Sequence, residues 1–156
     1  MNYWLLKSEP GDFSIDDLSA SRKRTTCWDG VRNYQARNFI RDEMKTGDQA
    51  FFYHSSCAEP GIVGLVEITR EAYPDATAFD PEDKHYDAKS ERQNPRWFAV
   101  DVTLKRKLAT PLPLSKLRQY AGDRLAKLPL LKRGNRLSVI PVAEDEWRFI
   151  LSLEER

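Results

Sequence analysis

The chain has 156 residues, enough for one compact domain that buries its own core without disulfides or a metal. With 40% hydrophobic and 31% charged residues it reads as globular, and no apolar run approaches the roughly 20 residues of a membrane span. A formal net charge of +1 argues against a protein that coats nucleic acid by bulk electrostatics, but leaves room for a local basic face or a pocket that reads one base.

Asn2 to Lys7 is apolar and aromatic enough for a short strand, which Ser8-Glu9-Pro10-Gly11 ends. Ser14 followed by Asp17 is an acid variant of the capping box and predicts a helix from Ile15 to about Ala20. Ser21 to Thr26 reads as a polar, basic loop. Asn33 can cap a helix from Tyr34 to Lys45, because Ala36, Phe39, Ile40 and Met44 form one apolar stripe. Gln49 to His54 is a continuously apolar strand. It is joined through Ser55–Gly61 to a second strand, Ile62 to Ile68 and as far as Tyr73, in a hairpin.

Residues 74–95, rich in Pro, Asp, Lys and Asn, form a long loop of the kind that is functional or mobile. Trp97 to Leu108 is a third long strand, with Phe98, Val100, Val102 and Leu104 on one face, and Pro111 and Pro113 break it. One or two short helices over 114–128, a strand at Leu137–Val142 and a helix over Glu144–Leu153 complete the chain. The class is therefore α+β: a small, partly closed mixed β-barrel flanked by helices, in a single domain over 1–156.

The segment Trp28-Asp29-Gly30-Val31-Arg32-Asn33-Tyr34-Gln35 carries the clearest chemistry. Trp28 offers a stacking face, and Gly30 lets backbone approach a ligand. Arg32, Asn33 and Gln35 supply donors and acceptors for a planar polar group such as a nucleobase. Asn33 also has its helix-capping role. Trp28 is read as a pocket wall, removable with little loss of stability, against the alternative of a core residue. Trp97 is balanced between core and rim. Lys7-Ser8-Glu9 is either a strand-ending turn or three polar side chains at a barrel mouth.

His54-Ser55-Ser56-Cys57 sets an imidazole beside hydroxyls and a thiol, but neighbours in sequence do not make a triad. Bonds to backbone at a strand end explain them, and His54 and Ser55 could also line a pocket. Cys27, Cys57, His54 and His85 show no metal-ligand spacing, so neither metal nor cofactor is expected. Two cysteines and an N-terminus without a basic n-region point to a cytoplasmic chain with reduced thiols. The clusters Arg22-Lys23-Arg24, Lys105-Arg106-Lys107 and Lys132-Arg133 with Arg136 are either solvated faces or, with Arg37 and Arg41, a phosphate-contacting surface.

Several motifs occur in a diagnostic order: Tyr3-Trp4-Leu5-Leu6-Lys7-Ser8-Glu9-Pro10, residues 28–38, Phe52-Tyr53-His54-Ser55, Gly61-Ile62-Val63-Gly64 and Arg136-Leu137-Ser138-Val139. Together they resemble the hallmark segments of EVE-domain proteins, from residue 1 to about 153, including the small bacterial members and the thymocyte nuclear protein family. The resemblance implies a PUA-like barrel, related to PUA, ASCH, YTH and SRA domains. It also implies a concave pocket for a modified nucleobase in DNA or RNA, without catalysis. By segment it carries over Lys7, Ser8 and Glu9; Trp28, Gly30, Val31, Arg32, Asn33 and Gln35; Tyr53, His54 and Ser55; and Arg136 and Ser138, with Trp97 added from the reading above. The partner is then nucleic acid and not a membrane, and a monomer is favoured. The competing reading is a nucleotide-acting hydrolase or nuclease that uses Lys7, Glu9, His54 and Ser55.

Overall fold

The computed structural model describes residues 1–154. Six strands form one mixed sheet: β1 (Tyr3–Ser8), β2 (Thr25–Trp28), β3 (Gln49–His54), β4 (Gly61–Pro74), β5 (Phe98–Pro113) and β6 (Val139–Val142). Their spatial order is β2-β5-β4-β3-β1-β6. β1 and β3 run parallel, Tyr3 opposite Gln49, and the remaining ladders among the described residues are antiparallel. Helices α1 (Ile15–Ala20) and α2 (Tyr34–Asn38) lie in the β1–β3 crossover; α3 (Leu114–Arg118) and α4 (Glu144–Ser152) flank β6 in sequence.

Strand alternation divides the apolar side chains between two cores, one on each face of the sheet. Trp4, Leu6, Ala50, Phe52, Val100, Val102 and Leu104 face one side, where Ile15 and Leu18 of α1 and Ala36, Ile40 and Met44 cover them. Leu5, Phe51, Tyr53, Leu108 and Leu112 face the other, against Leu117, Leu125, Leu128, Trp147 and Ile150. Trp147 lies over Phe51 at 4.0 Å and Tyr3 at 4.7 Å between ring centroids. A Cβ on Gly64 would meet Ile15 Cδ1 at 2.1 Å, so this glycine lets α1 lie close on the sheet.

The capping box forms as expected: Ser14 Oγ accepts from Asp17 N (3.1 Å), and Asp17 Oδ2 accepts from Ser14 N (2.8 Å). Asn33 Oδ1 accepts from Ala36 N (3.0 Å) and caps α2. Several expectations need correction. The helix expected to run to Lys45 keeps α-helical bonding only to Asn38. It then widens into a π turn over Phe39–Glu43, closed by a Met44 N–H bond to Phe39 C=O (2.9 Å).

The supposed loop 21–26 contains the start of β2, which pairs with β5 and joins Thr25 Oγ1 to Thr103 Oγ1 at 2.8 Å. Pro111 and Pro113 do not break β5. That end of β5 pairs with β4 alone, so the prolines cost no ladder bond on the unpaired side. The barrel is not closed: β2 and β6 are sheet edges, and no ladder joins them among the described residues. Among the described residues four-residue β2 pairs with β5 alone, and its Thr26, Cys27 and Trp28 border a cavity.

Candidate functional site

The cavity, about 550 Å³, opens between the two edges of the sheet. The end of β1 and its following turn supply Lys7, Ser8, Glu9, Asp12 and Phe13. β2 and the turn after it supply Thr26, Cys27, Trp28, Asp29, Gly30 and Val31, the long loop supplies Lys84 and His85, and Ser138 precedes β6. Trp28 and Val31 are only 7% and 5% exposed, and with Phe13 they form the apolar part of the wall. The Trp28 ring also stands edge-on to Phe52 (5.4 Å, 89°), so it belongs to the core and to the cavity at once.

Polar groups complete the lining. Ser8 Oγ donates to Phe13 C=O (2.6 Å) and fixes the turn that follows β1. Burial lowers the pKa of Lys7, and no acceptor engages its ammonium among the described residues. Asp29 likewise makes no hydrogen bond or ion pair there. Desolvation at the cavity first, then repulsion from Asp75, push its carboxyl above the usual range. Lys84 and Asp12 meet at 3.3 Å across the rim, linking the long loop to the turn after β1.

The long loop is pinned rather than loose. Asp75 is fully buried at its side chain. It accepts from Gly30 N (2.8 Å), Arg32 Nη1 (3.0 Å), Thr77 N (2.9 Å) and Thr77 Oγ1 (2.6 Å). Arg32 also donates through Nε and Nη2 to His85 C=O (3.0 and 2.7 Å) and through Nη2 to Thr77 Oγ1 (3.1 Å). Trp97 Nε1 donates to Asp87 Oδ2 (2.7 Å), and the Trp97 ring stacks on Tyr34 at 4.9 Å, with the Arg32 guanidinium on it at 5.2 Å.

Gly30 has φ +77°, and a Cβ there would lie 2.6 Å from the His85 ring. Gly30→Ala is therefore expected to destabilise the fold by more than about 1 kcal/mol and to displace the imidazole. Pairing it with His85→Ala should restore the steric part only. Unfolding of the two single variants and the double variant measures this, and strict additivity would refute the contact.

Of the sequence-predicted residues, Lys7, Ser8, Glu9, Trp28, Gly30, Val31 and Ser138 come together on the cavity; the others lie off its lining. Arg32 is the staple just described, and Asn33 is the α2 cap. Gln35 is exposed on α2, and Trp97 holds the loop. Tyr53 alternates to the opposite face and is 3% exposed in the second core. His54 Nε2 accepts from Ile15 N (3.1 Å), Ser55 N donates to Ser8 C=O (3.0 Å), and Arg136 is exposed. Asp12, Phe13, Thr26, Cys27, Asp29, Lys84 and His85 also line the cavity, although the sequence assigned none of them to a base pocket. Asp29 was legible as part of the 28–35 segment, whereas Lys84 and His85 arrive from a distant loop and had no local signal.

The nucleophile candidates fare poorly as a catalytic set. His54 spends its acceptor nitrogen on the start of α1 rather than on Ser55. Burial, with Asp29, Asp101 and Asp75 adding repulsion against a Tyr73 hydrogen bond, pushes the Cys27 thiol up to about 11. It therefore stays protonated near neutrality. Among the described residues no three His, Cys, Asp or Glu side chains cluster so as to hold a metal ion.

The EVE domain family model matches residues 2–153. Human thymocyte nuclear protein 1 is 49% identical over 170 residues, covering 99% of this chain and 75% of that protein. The crystal structure of the human THYN1 protein in complex with 5-methylcytosine-containing DNA superposes with a TM-score of 0.95 at 48% identity, covering 100% of this chain and 99% of that one. A protein from Pseudomonas syringae matches with a TM-score of 0.90 at 50% identity, over 97% of this chain and 98% of its own.

Proposed function

This chain belongs to the EVE domain family, and we propose that its cavity captures a single modified base, 5-methylcytosine in DNA, without turning it over. The observation that carries the reading is the lining itself: an indole wall beside a cation and a carboxylate that have no partners among the described residues. Cytosine presents an N4 amine that donates and N3 and O2 atoms that accept. Asp29 suits the amine, Lys7 suits the acceptors, and Trp28 gives the ring a surface. Val31 and Phe13 supply apolar lining suited to a 5-methyl group. The related human structure with methylcytosine DNA supports the choice of base and of DNA.

A base inside a duplex must leave its stack to enter. That costs a few kcal/mol, less in a mismatch or a single strand. Stacking returns about 1–3 kcal/mol per base. The basic side chains hold backbone and add no sequence information.

The test is binding of the full chain to oligonucleotides carrying 5-methylcytosine or cytosine, as DNA and as RNA, single-stranded and duplex. Tighter binding of methylated DNA, with the oligonucleotide recovered intact with or without Mg²⁺, is the expected result. Equal affinity for methylated and plain DNA refutes the reading, and cleavage or base release would establish the hydrolase alternative. Asp29→Ala should remove about 1–3 kcal/mol of binding, the size of one well-made base contact. Wild-type affinity should be full above the raised pKa of Asp29 and fall as pH drops through it, because only the carboxylate accepts from N4. That fall should be absent in Asp29→Ala.

A further inference from the structure

Beside the base cavity lies a second, shallower one of about 450 Å³, lined by Arg22, Lys23, Thr25, Thr26, Cys27 and Asp101. The two share Thr26 and Cys27, so β2 is the wall between them. Three observations distinguish this place from the other basic clusters. First, its cations are uncommitted: the side chains of Arg22 and Lys23 in the lining, and of Arg24 next to them in the same turn, are exposed and engage no acid or acceptor among the described residues. By contrast Lys105 meets Glu67 at 3.4 Å, Arg106 meets Glu154 at 2.7 Å and Lys107 meets Asp16 at 2.5 Å. Lys132 Nζ donates to Ala126 C=O, and Arg133 and Arg136 line neither cavity.

Second, the backbone is strained where the charges sit. Lys23 (φ 55°) and Arg24 (φ 51°) are consecutive non-glycine residues in the left-handed region, which glycine or asparagine would occupy more comfortably. The turn is held there by Arg24 N donating to Ser21 C=O (2.8 Å) and Thr25 Oγ1 donating to Lys23 C=O (2.9 Å). Strain maintained at an exposed, unpacked turn points to a role for the side chains outside the fold. Third, Asp101, the acid in this lining, accepts the Tyr73 hydroxyl through Oδ1 and pairs with none of these three cations among the described residues.

We propose that the Arg22–Arg24 turn is a phosphate subsite that takes the phosphodiester next to the base held on the other side of β2. The proposal rests on the base-capture reading, since it assigns the chain that enters the first cavity a path across β2. Cations at this spacing can reach one or two backbone phosphates, and such contacts fix register without reading sequence.

The test uses the full chain and fluorescently labelled single-stranded DNA containing one 5-methylcytosine or one cytosine, titrated over a salt series. Arg22→Gln, Lys23→Gln and Arg24→Gln in one protein should weaken both oligonucleotides by the same factor and leave the methyl preference unchanged. The slope of log Kd against log salt should fall by about 0.7–1.4, for one or two lost phosphate contacts at ~0.7 each on a single strand. A matched Lys132→Gln, Arg133→Gln, Arg136→Gln protein should keep the wild-type slope. A Lys23→Gly, Arg24→Gly pair should raise Tm while weakening binding, because it relieves the strain and removes the charges.

An unchanged slope in the first variant, with methyl preference intact, overturns the subsite. So does a lowered Tm in the glycine pair, which would assign these side chains to the fold. A wild-type protein without methyl preference overturns the base-capture reading instead, and the slope alone then decides whether phosphate binds at this turn.

Discussion

Asp75→Ala is expected to destabilise the protein by about 3–5 kcal/mol, the range for removing one partner of a buried, hydrogen-bonded ion pair. For a domain of this size that is a fall in Tm of about 6–20 °C. Asp75 does not line the cavity, yet its carboxylate joins Gly30, Arg32 and Thr77 through four hydrogen bonds. Its removal frees the Gly30–Val31 wall from the long loop and leaves the Arg32 guanidinium without its acid. Capture of a base should be lost together with stability. Burial alone would raise the pKa of Asp75, but the bonds from Thr77, Gly30 and Arg32 outweigh it and hold the group below the usual carboxylate range.

The sign for stability follows from that direction. With a folded pKa below the unfolded value of about 3.9, the contribution is fully present well above that unfolded value and is lost as pH falls through the folded pKa. The gap between wild type and Asp75→Ala should therefore close under acid conditions. Denaturant unfolding at pH 7 and at pH 3 measures both effects, and a variant as stable as wild type at pH 7 would remove the loop anchor from this account.

That anchor also marks where sequence reasoning reached its limit. Ser14 with Asp17, and Asn33 with Ala36, were legible because a cap is local chemistry, complete within four residues. The alternation of Phe98, Val100, Val102 and Leu104 was legible for the same reason. Arg32 was a different matter: within 28–35 it looks like a reader of a polar ring, but its partners stand at 75, 77 and 85. Only the packed loop reveals that it is a staple. β2 escaped notice because its polar Thr25-Thr26-Cys27 run gains its stability from a strand 78 residues away.

Tyr53 could have been placed correctly from sequence. On a strand where Phe52 and His54 share one face, the residue between them must point to the other. The family motifs were a better guide to the fold than to individual contacts, since a motif records packing and recognition together. In 28–35, Trp28, Asp29, Gly30 and Val31 reach the cavity while Arg32 and Asn33 build the frame that holds them.

Trp28→Ala is the second change with a large expected effect, and here the structure reverses the expectation that stability would barely move. At 7% exposure and edge-on to Phe52, Trp28 is a core residue, and truncation should cost about 3–5 kcal/mol. Binding of methylated DNA should weaken as well, but that loss would mix a missing stack with a loosened wall. Trp28→Phe separates the two. It keeps an aromatic edge toward Phe52 and most of the packing, while shortening the surface offered to a base. A chain whose Trp28 both packs and stacks should, as Trp28→Phe, retain most of its Tm and still lose part of the about 1–3 kcal/mol that base stacking supplies. If Trp28→Phe binds methylated DNA as tightly as wild type while Trp28→Ala is merely unstable, the indole is a core side chain that borders the cavity, and the capture of the base must be assigned to its polar residues alone.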